Sequence, residues 1–202
     1  KGFEINYSQS ASGLGINVTY YNYSTIRGCN LVQDSGNSDS TAVYIFGNSS
    51  NNTIFNNIIA TTGRSSHGIK FFEGVFDNSA YSNSILTRGV NARGILFNIS
   101  VYNNSVYYNN ITTFNLNARG VQLQSKSNRN LVYYNNVTVF GQGPHGITLN
   151  QEAFFNSVYG NVITTYNITN NGIQLGVYAY NNSIYDNNIT TNNATRSKGI
   201  GL

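Results

Sequence analysis

Four basic side chains occupy one position of a regular 26-residue spacing: His67, Arg93, Arg119 and His145. The two arginines are neighbours in this series, and two guanidinium groups on adjacent repeats repel each other unless they diverge or share an anion. The series could therefore bind sulfate or an acidic polysaccharide. Alternatively, these residues are favoured before a glycine corner for solubility and packing. The two histidines are three repeats apart, too far to share a proton or a metal ion.

Acidic side chains are few and scattered. Glu73 and Glu152 are three repeats apart, or about 14 Å at ~4.8 Å per repeat, whereas sugar-cleaving enzymes hold two carboxylates closer together. Glu73 and Asp77 are the nearest approach to a pair and are interpreted as residues of a solvated turn. Asp34 and Asp39 lie in an irregular segment. Because no convergent carboxylates, metal ligands or nucleophile motif are found, the sequence predicts no catalysis, no metal site and no cofactor.

Aromatic residues form a second regular series at the same spacing. Each follows an apolar position by one residue, so strand alternation directs its ring outward. The rings could stabilise the solenoid by stacking, or they could form a flat surface for sugar rings or for lateral packing against another rod. The series comprises Phe55, Tyr81, Tyr107, Tyr133, Tyr159 and Tyr185, and a gapped series comprises Phe76, Tyr102, Phe154 and Tyr180.

Thirteen Asn-x-Ser/Thr sequons occur where the composition alone would give about 7. Two groups share an outward repeat position each, which favours N-glycosylation and an extracellular location. Neighbouring sequons on adjacent repeats are too close for both to carry a glycan at all times. The acceptors are Asn6, Asn17, Asn22, Asn48, Asn51, Asn98, Asn103, Asn110, Asn136, Asn167, Asn181, Asn188 and Asn193.

Two columns of asparagine define the repeat that positions all these residues. Because each column recurs every 26 residues, the chain is read as a solenoid. Asn is expected to occupy tight corners in the left-handed backbone region and to hydrogen-bond between coils. The columns are Asn52, Asn78, Asn104, Asn130, Asn156 and Asn182, then Asn57, Asn83, Asn109, Asn135, Asn161 and Asn187.

Each repeat contains three short segments in which apolar residues alternate, as in Ile95 and Phe97 after Gly94. This pattern predicts three strands per repeat, which pair with their equivalents in the next repeat. The expected fold is all-β: a right-handed parallel β-helix of seven to eight coils. Residues 1–202 are expected to form one domain, in which 15–202 are repeats and 1–14 are an irregular or docking segment. This domain is expected to be part of a longer chain or filament. The glycine column is expected to serve a backbone corner.

Composition narrows the possible partners. Charged residues make up 9% of the chain and the net charge is +4, without any run of Lys or Arg, so nucleic acid is not expected as a partner. No apolar stretch approaches the length of a membrane span. The single cysteine, Cys29, falls in the second asparagine column and is expected to point inward.

Phrases such as residues 104–111, NSVYYNNI, and 172–175, GIQL, resemble the parallel β-helix repeats of the NosD-like, carbohydrate-binding and sugar-hydrolase group. This resemblance, which covers about 15–202, implies the fold and leaves the function open, since the group includes polysaccharide lyases, hydrolases, tailspikes, adhesins and spacers. A copper role is not expected, because the chain has two His, one Cys and no Met.

The first functional hypothesis is a non-catalytic structural module of an extracellular fibre, adhesin stalk or cell-surface coat. Its partners would be N-glycans and other copies of itself, stacked head to tail or packed side by side, because the sequence shows no cap for exposed strand edges. The alternative hypothesis is a carbohydrate-binding or polysaccharide-processing β-helix, similar to a lyase, hydrolase or phage tailspike, that acts on an acidic glycan through the arginines and tyrosines.

Overall fold

The computed structural model describes residues 3–8, 11–33, 35–192 and 196–202. These residues form 23 short strands, numbered in chain order, and every strand pairing is parallel. No helix that could cross a membrane occurs in these ranges. The all-β parallel solenoid predicted from the repeat is thereby confirmed, while its right-handed winding stays a prediction from the general crossover preference.

The strands form three sheets, each of which takes one strand from nearly every coil. Sheet A contains β1 (Glu4–Tyr7), β4 (Asn30–Gln33), β7 (Ile58–Thr61), β10 (Ser84–Thr87), β13 (Asn110–Thr113), β16 (Asn136–Val139), β19 (Val162–Tyr166) and β22 (Asn188–Asn192). Sheet B contains β2 (Ile16–Thr19), β5 (Val43–Phe46), β8 (Ile69–Phe72), β11 (Arg93–Asn98), β14 (Arg119–Gln124), β17 (Ile147–Leu149), β20 (Ile173–Leu175) and β23 (Ile200–Gly201). Sheet C contains β3 (Thr25–Arg27), β6 (Thr53–Phe55), β9 (Ser79–Tyr81), β12 (Ser105–Tyr107), β15 (Leu131–Tyr133), β18 (Ser157–Tyr159) and β21 (Ser183–Tyr185).

The pairing register reproduces the repeat. From β7 onward most partners are 26 residues apart, as for Ile85 and Ile111, and about seven turns result. The first coils have slightly longer spacings, as between Leu31 and Ile59. Within the N-terminal segment, β1 pairs with β4 and is an edge strand of sheet A.

The interior is a continuous apolar column. Every second strand residue points inward and is buried, and the residues of successive coils lie above one another. Ile, Val and Leu suit these positions because β-branched and aliphatic side chains pack well on a pleated surface. Cys29 is half-buried against this core, and its backbone N–H donates to Asn57 Oδ1.

The two asparagine columns join the coils through buried amides. Asn109 is typical: its Oδ1 accepts hydrogen bonds from the backbone N–H and the side-chain amide of Asn83, at 3.0 and 2.9 Å. Its Nδ2 donates to the carbonyl of Ala80 and to Asn135 Oδ1, at 2.9 and 3.0 Å. Each buried amide therefore satisfies backbone groups at corners where no strand partner exists.

The backbone of these corners differs from the expectation. None of the ladder asparagines has a positive φ; the residue immediately before each one does, as in Asn103 (φ 55°) and Tyr108 (φ 53°). The left-handed residue turns the chain and exposes its own side chain. The asparagine that follows can then point inward, so the columns arise from hydrogen bonding and not from a backbone preference.

The glycine column also has a different cause from the one expected. Gly68, Gly94, Gly120 and Gly146 do not have positive φ. A β-carbon on Gly120 would lie 2.2 Å from Val137 Cγ1 and 2.6 Å from the carbonyl oxygen of Gly146. One on Gly94 would lie 2.3 Å from Ile111 Cγ2 and 2.7 Å from the carbonyl oxygen of Gly120. Glycine is required here because sheet B and sheet A approach too closely for any side chain.

Replacing Asn109 by Ala is expected to lower the free energy of unfolding by about 2–3 kcal/mol, because several buried donors and acceptors lose their partners. The matched control is Asn110→Ala, which changes the exposed neighbour on the same corner and should cost less than about 0.5 kcal/mol. Urea unfolding followed by circular dichroism measures both. Equal losses for the two variants would contradict the role given to the ladder.

Candidate functional site

The outer face of sheet B carries a group of polar and basic side chains. Strand alternation directs Lys70, Leu96, Gln122 and Thr148 outward, and they lie in register on successive strands. Leu96, Gln122 and Thr148 are nevertheless buried, with 4%, 2% and 2% of their surface exposed. Neighbouring side chains therefore cover an outward face, which is unusual for the surface of a solenoid.

Arg93 and Arg119 contribute to this cover. They begin β11 and β14 and are paired in register. Arg93 extends over the sheet, and its Nε donates to Gln122 Oε1 at 2.6 Å. Burial, together with the charge of Arg119, lowers the pKa of Arg93 to about 10, and burial also lowers the pKa of Arg119. Both remain charged at neutral pH.

This positive charge has no acidic counterpart. Across the described ranges the single salt bridge joins Lys126 to Glu152, so neither arginine takes part in one. Three buried polar atoms at this face also have no hydrogen-bond partner in the described part of the chain: Arg119 Nε, Asn98 Oδ1 and Thr148 Oγ1. These three atoms have almost no accessible surface, whereas Arg93 and Arg119 are only half-buried, so a ligand at this face can contact the arginines but not these atoms.

His67 and His145 lie at the same repeat position as the arginines but have a different role. The backbone N–H of Arg93 donates to His67 Nδ1, and that of Asn171 donates to His145 Nδ1, both at 3.1 Å. Each neutral imidazole thus carries its proton on Nε2, which is a hydrogen-bond donor. Burial and nearby cations lower both pKa values, that of His145 to about 4. The histidines are neutral at pH 7 and cannot accept a proton at Nε2.

Lys70 stands on the coil before Arg93 and adjoins two aromatic rings. Its Nζ lies 4.5 Å from the ring centre of Phe72 and 5.3 Å from that of Tyr44. Burial lowers the pKa of Lys70, with Asp39 acting in the opposite direction. Burial and the charge of Glu73 raise the pKa of Tyr44, so its phenol remains protonated. The face therefore also holds an amine that loses its proton more readily than an exposed lysine.

The candidate acidic residues that the structure describes lie in turns beside this face and not on its strands. Glu73 and Asp77 are exposed and sit in left-handed turns (φ 59° and 54°) after sheet B. Glu152 occurs in the equivalent turn three coils later and pairs with Lys126 at 3.9 Å. Asp34 lies outside the described residues. Within the described ranges no three His, Cys, Asp or Glu side chains form a metal site, and no close pair of carboxylates faces the arginines.

The aromatic series lies on the outer face of sheet C and forms a stack of parallel rings. Successive ring centres are 4.9–5.0 Å apart and the planes differ by 2–11°. Rings lying side by side in one plane could not come this close without overlapping, so their faces are turned toward one another along the axis. The expectation of a flat surface for sugar rings does not fit this arrangement, because the ladder presents ring edges and hydroxyls outward. The second series stacks as Phe76 on Tyr102 and Phe154 on Tyr180, with Asn128 between the pairs.

Most sequon asparagines are on the surface. Among those that the structure describes, all are exposed except Asn98, which is half-buried on sheet B. Asn136 Nδ2 donates to Asn110 Oδ1 at 3.3 Å, so two neighbouring sequons interact directly. Asn193 lies outside the described residues. Glycan attachment at these sites stays a prediction.

Several features of the site were not predicted from the sequence. The sequence alone does not distinguish Gln122, Thr148, Lys70 and Tyr44, because polar residues at outward positions are ordinary on a solenoid. Their only signal is position: each shares the strand register of the arginine stripe, two or three residues further along. The occurrence of Asn171 at the same repeat position indicates the acceptor role of the histidines. Asn171 Oδ1 accepts a hydrogen bond from the backbone N–H of Lys198 at 2.8 Å, as the histidine Nδ1 atoms do from theirs.

Comparisons with known proteins identify the fold. No protein-family model and no curated protein matches the chain. Two solved structures of the periplasmic alginate epimerase AlgG are similar to it, one of a double mutant (TM-score 0.61, 16% identity) and one of a single mutant (TM-score 0.63, 17% identity). Each comparison covers 91% of this chain and 49% of the epimerase chain, so this chain spans about half of the enzyme's length. The likeness supports a β-helix and does not single out the NosD-like group.

The comparison with solved structures corrects the predicted lack of catalysis. The absence of paired carboxylates led to the prediction of a protein without catalytic activity. The solved structures that share its architecture are those of an enzyme, which overturns that prediction. The prediction rested on the lack of convergent carboxylates, of metal ligands and of a nucleophile motif in the sequence.

The neutral histidines make stability depend on pH. The unfolded chain protonates His145 near pH 6.5, whereas the folded chain does so only near pH 4, so acid favours unfolding. The stabilisation is complete above pH 6.5 and is lost toward pH 4, at a total of about 3 kcal/mol. His145→Asn introduces the side chain that Asn171 has at the same repeat position. This variant should reduce the difference in unfolding free energy between pH 7 and pH 4 by about that amount. A variant with the same pH dependence as the original chain would contradict this assignment.

Proposed function

We propose that the chain is the polysaccharide-binding β-helix of a protein that modifies an acidic polysaccharide. The observation that carries the proposal is the pair Arg93 and Arg119, two adjacent guanidinium groups without an acidic partner in the described ranges. Arginine forms strong, directional hydrogen bonds with carboxylates and sulfates, and a shared anion relieves the repulsion between the two groups.

The structural neighbours support the same class of ligand. They are an enzyme that acts on alginate, which is a polymer of uronic acids and carries one carboxylate per sugar. Because Arg93 and Arg119 stand on adjacent coils, ~4.8 Å apart, carboxylates of one bound chain could contact both. The periplasmic origin of the neighbours and the sequons agree with a location outside the cytoplasm. Self-association and N-glycan attachment stay predictions.

The chemistry best suited to this face is removal of the proton next to a uronate carboxylate. Two guanidinium groups at that carboxylate would stabilise the negative charge that develops when the C5–H bond breaks. Lys70, as the free amine, would accept the proton and become an ammonium ion. Return of a proton to the opposite face of C5 gives epimerisation, and loss of the C4 oxygen substituent gives elimination. The neutral histidines are unsuited as bases because their Nε2 nitrogen already carries a proton.

Alginate binding tests the first part of the proposal. Titration calorimetry should show binding that weakens with added salt, and replacing both Arg93 and Arg119 by Ala should reduce affinity at least tenfold. Glu73→Ala should leave binding unchanged. Arg129→Ala is the matched control, since Arg129 is an exposed arginine at a corner of the solenoid. Circular dichroism establishes that the variants fold.

Two results would contradict the binding function. One is binding of neutral dextran as tight as that of alginate, and the other is an equal loss of affinity in the Arg129→Ala variant. Either would show that the arginine pair does not select an anionic chain.

Hydrogen exchange at C5 tests the reaction. Alginate incubated with the protein in D2O should lose the proton NMR signal of H5, faster at pH 9 than at pH 7 because more of Lys70 is then the free amine. Lys70→Met should slow the exchange at least tenfold without a similar loss of alginate affinity, and Lys198→Met, an exposed control, should not. Intact binding without any exchange would remove the catalytic role and leave the binding function.

A further inference from the structure

A groove runs along the corner that follows sheet B. Successive coils place two consecutive left-handed residues there, such as Ser125 with Lys126 and Gln151 with Glu152. Two adjoining clefts of about 440 and 480 Å³ lie at this corner and share Gln151 and Glu152 as a common wall. The first is completed by Ile99, Ser100, Ser125 and Lys126, and the second by Asn150, Gly176, Val177 and Tyr178. The groove thus follows the solenoid axis over four coils.

The second cleft is open because one side chain is missing from a regular column. The outward position at the end of sheet B holds a side chain on coil after coil, ending with Gln124 and Asn150, and the next coil has Gly176. A β-carbon on Gly176 would lie 2.8 Å from Asn150 Cβ. Glycine therefore leaves room between Asn150 and the ring of Tyr178.

Hydrogen bonds connect this cleft to the arginine face. Gln122 Oε1 accepts from Arg93 Nε at 2.6 Å, while Gln122 Nε2 donates to Gln124 Oε1 at 2.5 Å and makes a longer contact of 3.5 Å with Asn150 Oδ1. Asn150 lines the cleft. A polar track thus runs from the guanidinium groups across the sheet to the groove, so one ligand can contact both.

The two ends of the track differ in charge. The arginine end is cationic, whereas the cleft carries the Glu152 carboxylate, which Lys126 neutralises only in part at 3.9 Å. A carboxylate repels the acidic groups of a uronic acid polymer and accepts hydrogen bonds from its hydroxyls. Amide groups of Asn150 and Gln151 beside it can both donate and accept.

We infer that the cleft between Glu152 and Tyr178 is a subsite for the hydroxyl-bearing edge of a sugar in the bound acidic polysaccharide. Glu152 accepts hydrogen bonds from the hydroxyls, and the amides of Asn150 and Gln151 both accept and donate them. The Tyr178 ring packs against the sugar. The bound chain thereby crosses sheet B obliquely, with the carboxylate of one sugar at Arg93 and Arg119 and the hydroxyls of another sugar in the cleft. This inference rests on the proposed function and specifies how that face selects its ligand.

Tyr178 offers a sharp test because the chain contains a matched control. Tyr178 is 76% exposed with φ 59°, and Tyr23, at the other end of the solenoid, is 79% exposed with φ 58°. Both can be replaced by Ala with similar effects on the backbone. Titration of alginate hexasaccharide should give a Kd about five- to tenfold higher for Tyr178→Ala and an unchanged Kd for Tyr23→Ala. Glu152→Ala should weaken binding to a similar degree.

The length of the ligand separates this inference from the proposed function. The arginines begin the strands of sheet B and the cleft follows their ends, about 17 Å away at ~3.3 Å per residue over Arg119–Gln124, so an alginate disaccharide is too short to contact both. Its affinity should fall with loss of the arginines and stay the same in Tyr178→Ala. Unchanged hexasaccharide binding in both Tyr178→Ala and Glu152→Ala would overturn the subsite while leaving the arginine site intact. Absence of any alginate binding by the original chain would overturn both.

Discussion

The coil-to-coil hydrogen bonding of buried asparagine governs this structure. A parallel solenoid has corners where backbone groups turn away from the strands, and burying them without partners would cost about 1–3 kcal/mol each. Each ladder amide supplies an acceptor and two donors to the coils on either side of it. Asn109, for example, accepts from Asn83 on one side and donates to Asn135 on the other. This works only if every coil presents an asparagine at the same place, which explains why the 26-residue spacing is so strict from β7 onward.

Because the inside is fixed, variation is confined to the outer face. The outward positions of sheet B change from aromatic residues at Tyr44 and Phe72 to polar residues at Gln122 and Thr148 without disturbing the core. Arg93, which reaches across the sheet to Gln122, helps to cover this polar patch. A rigid solenoid suits such a site, since the strands hold these side chains in place and little ordering is needed when a ligand binds.

The outer faces of sheets B and C differ in what they leave available. On sheet C, the rings from Phe55 to Tyr185 stack on one another, so most of their faces are already in contact with protein. On sheet B, Arg93 and Arg119 have no acidic partner in the described ranges, and an open groove lies beyond the end of the sheet. The proposed ligand face is therefore sheet B, while the ladder on sheet C stabilises the coils against one another.

The sequence by itself determined the repeat, the three strands per coil, and the sets of residues that lie above one another, because a solenoid converts sequence spacing directly into spatial neighbourhood. It placed Arg93 beside Arg119 for that reason. It did not determine why Gly120 is glycine, which side of its coil Tyr178 faces, or that the aromatic rings stack through their faces. Those features depend on the distance between sheets and on side-chain conformation at corners. Only the tertiary structure showed that Arg93 reaches across the sheet to Gln122 and that Gly176 opens a cleft, since both involve contacts between different positions of different coils.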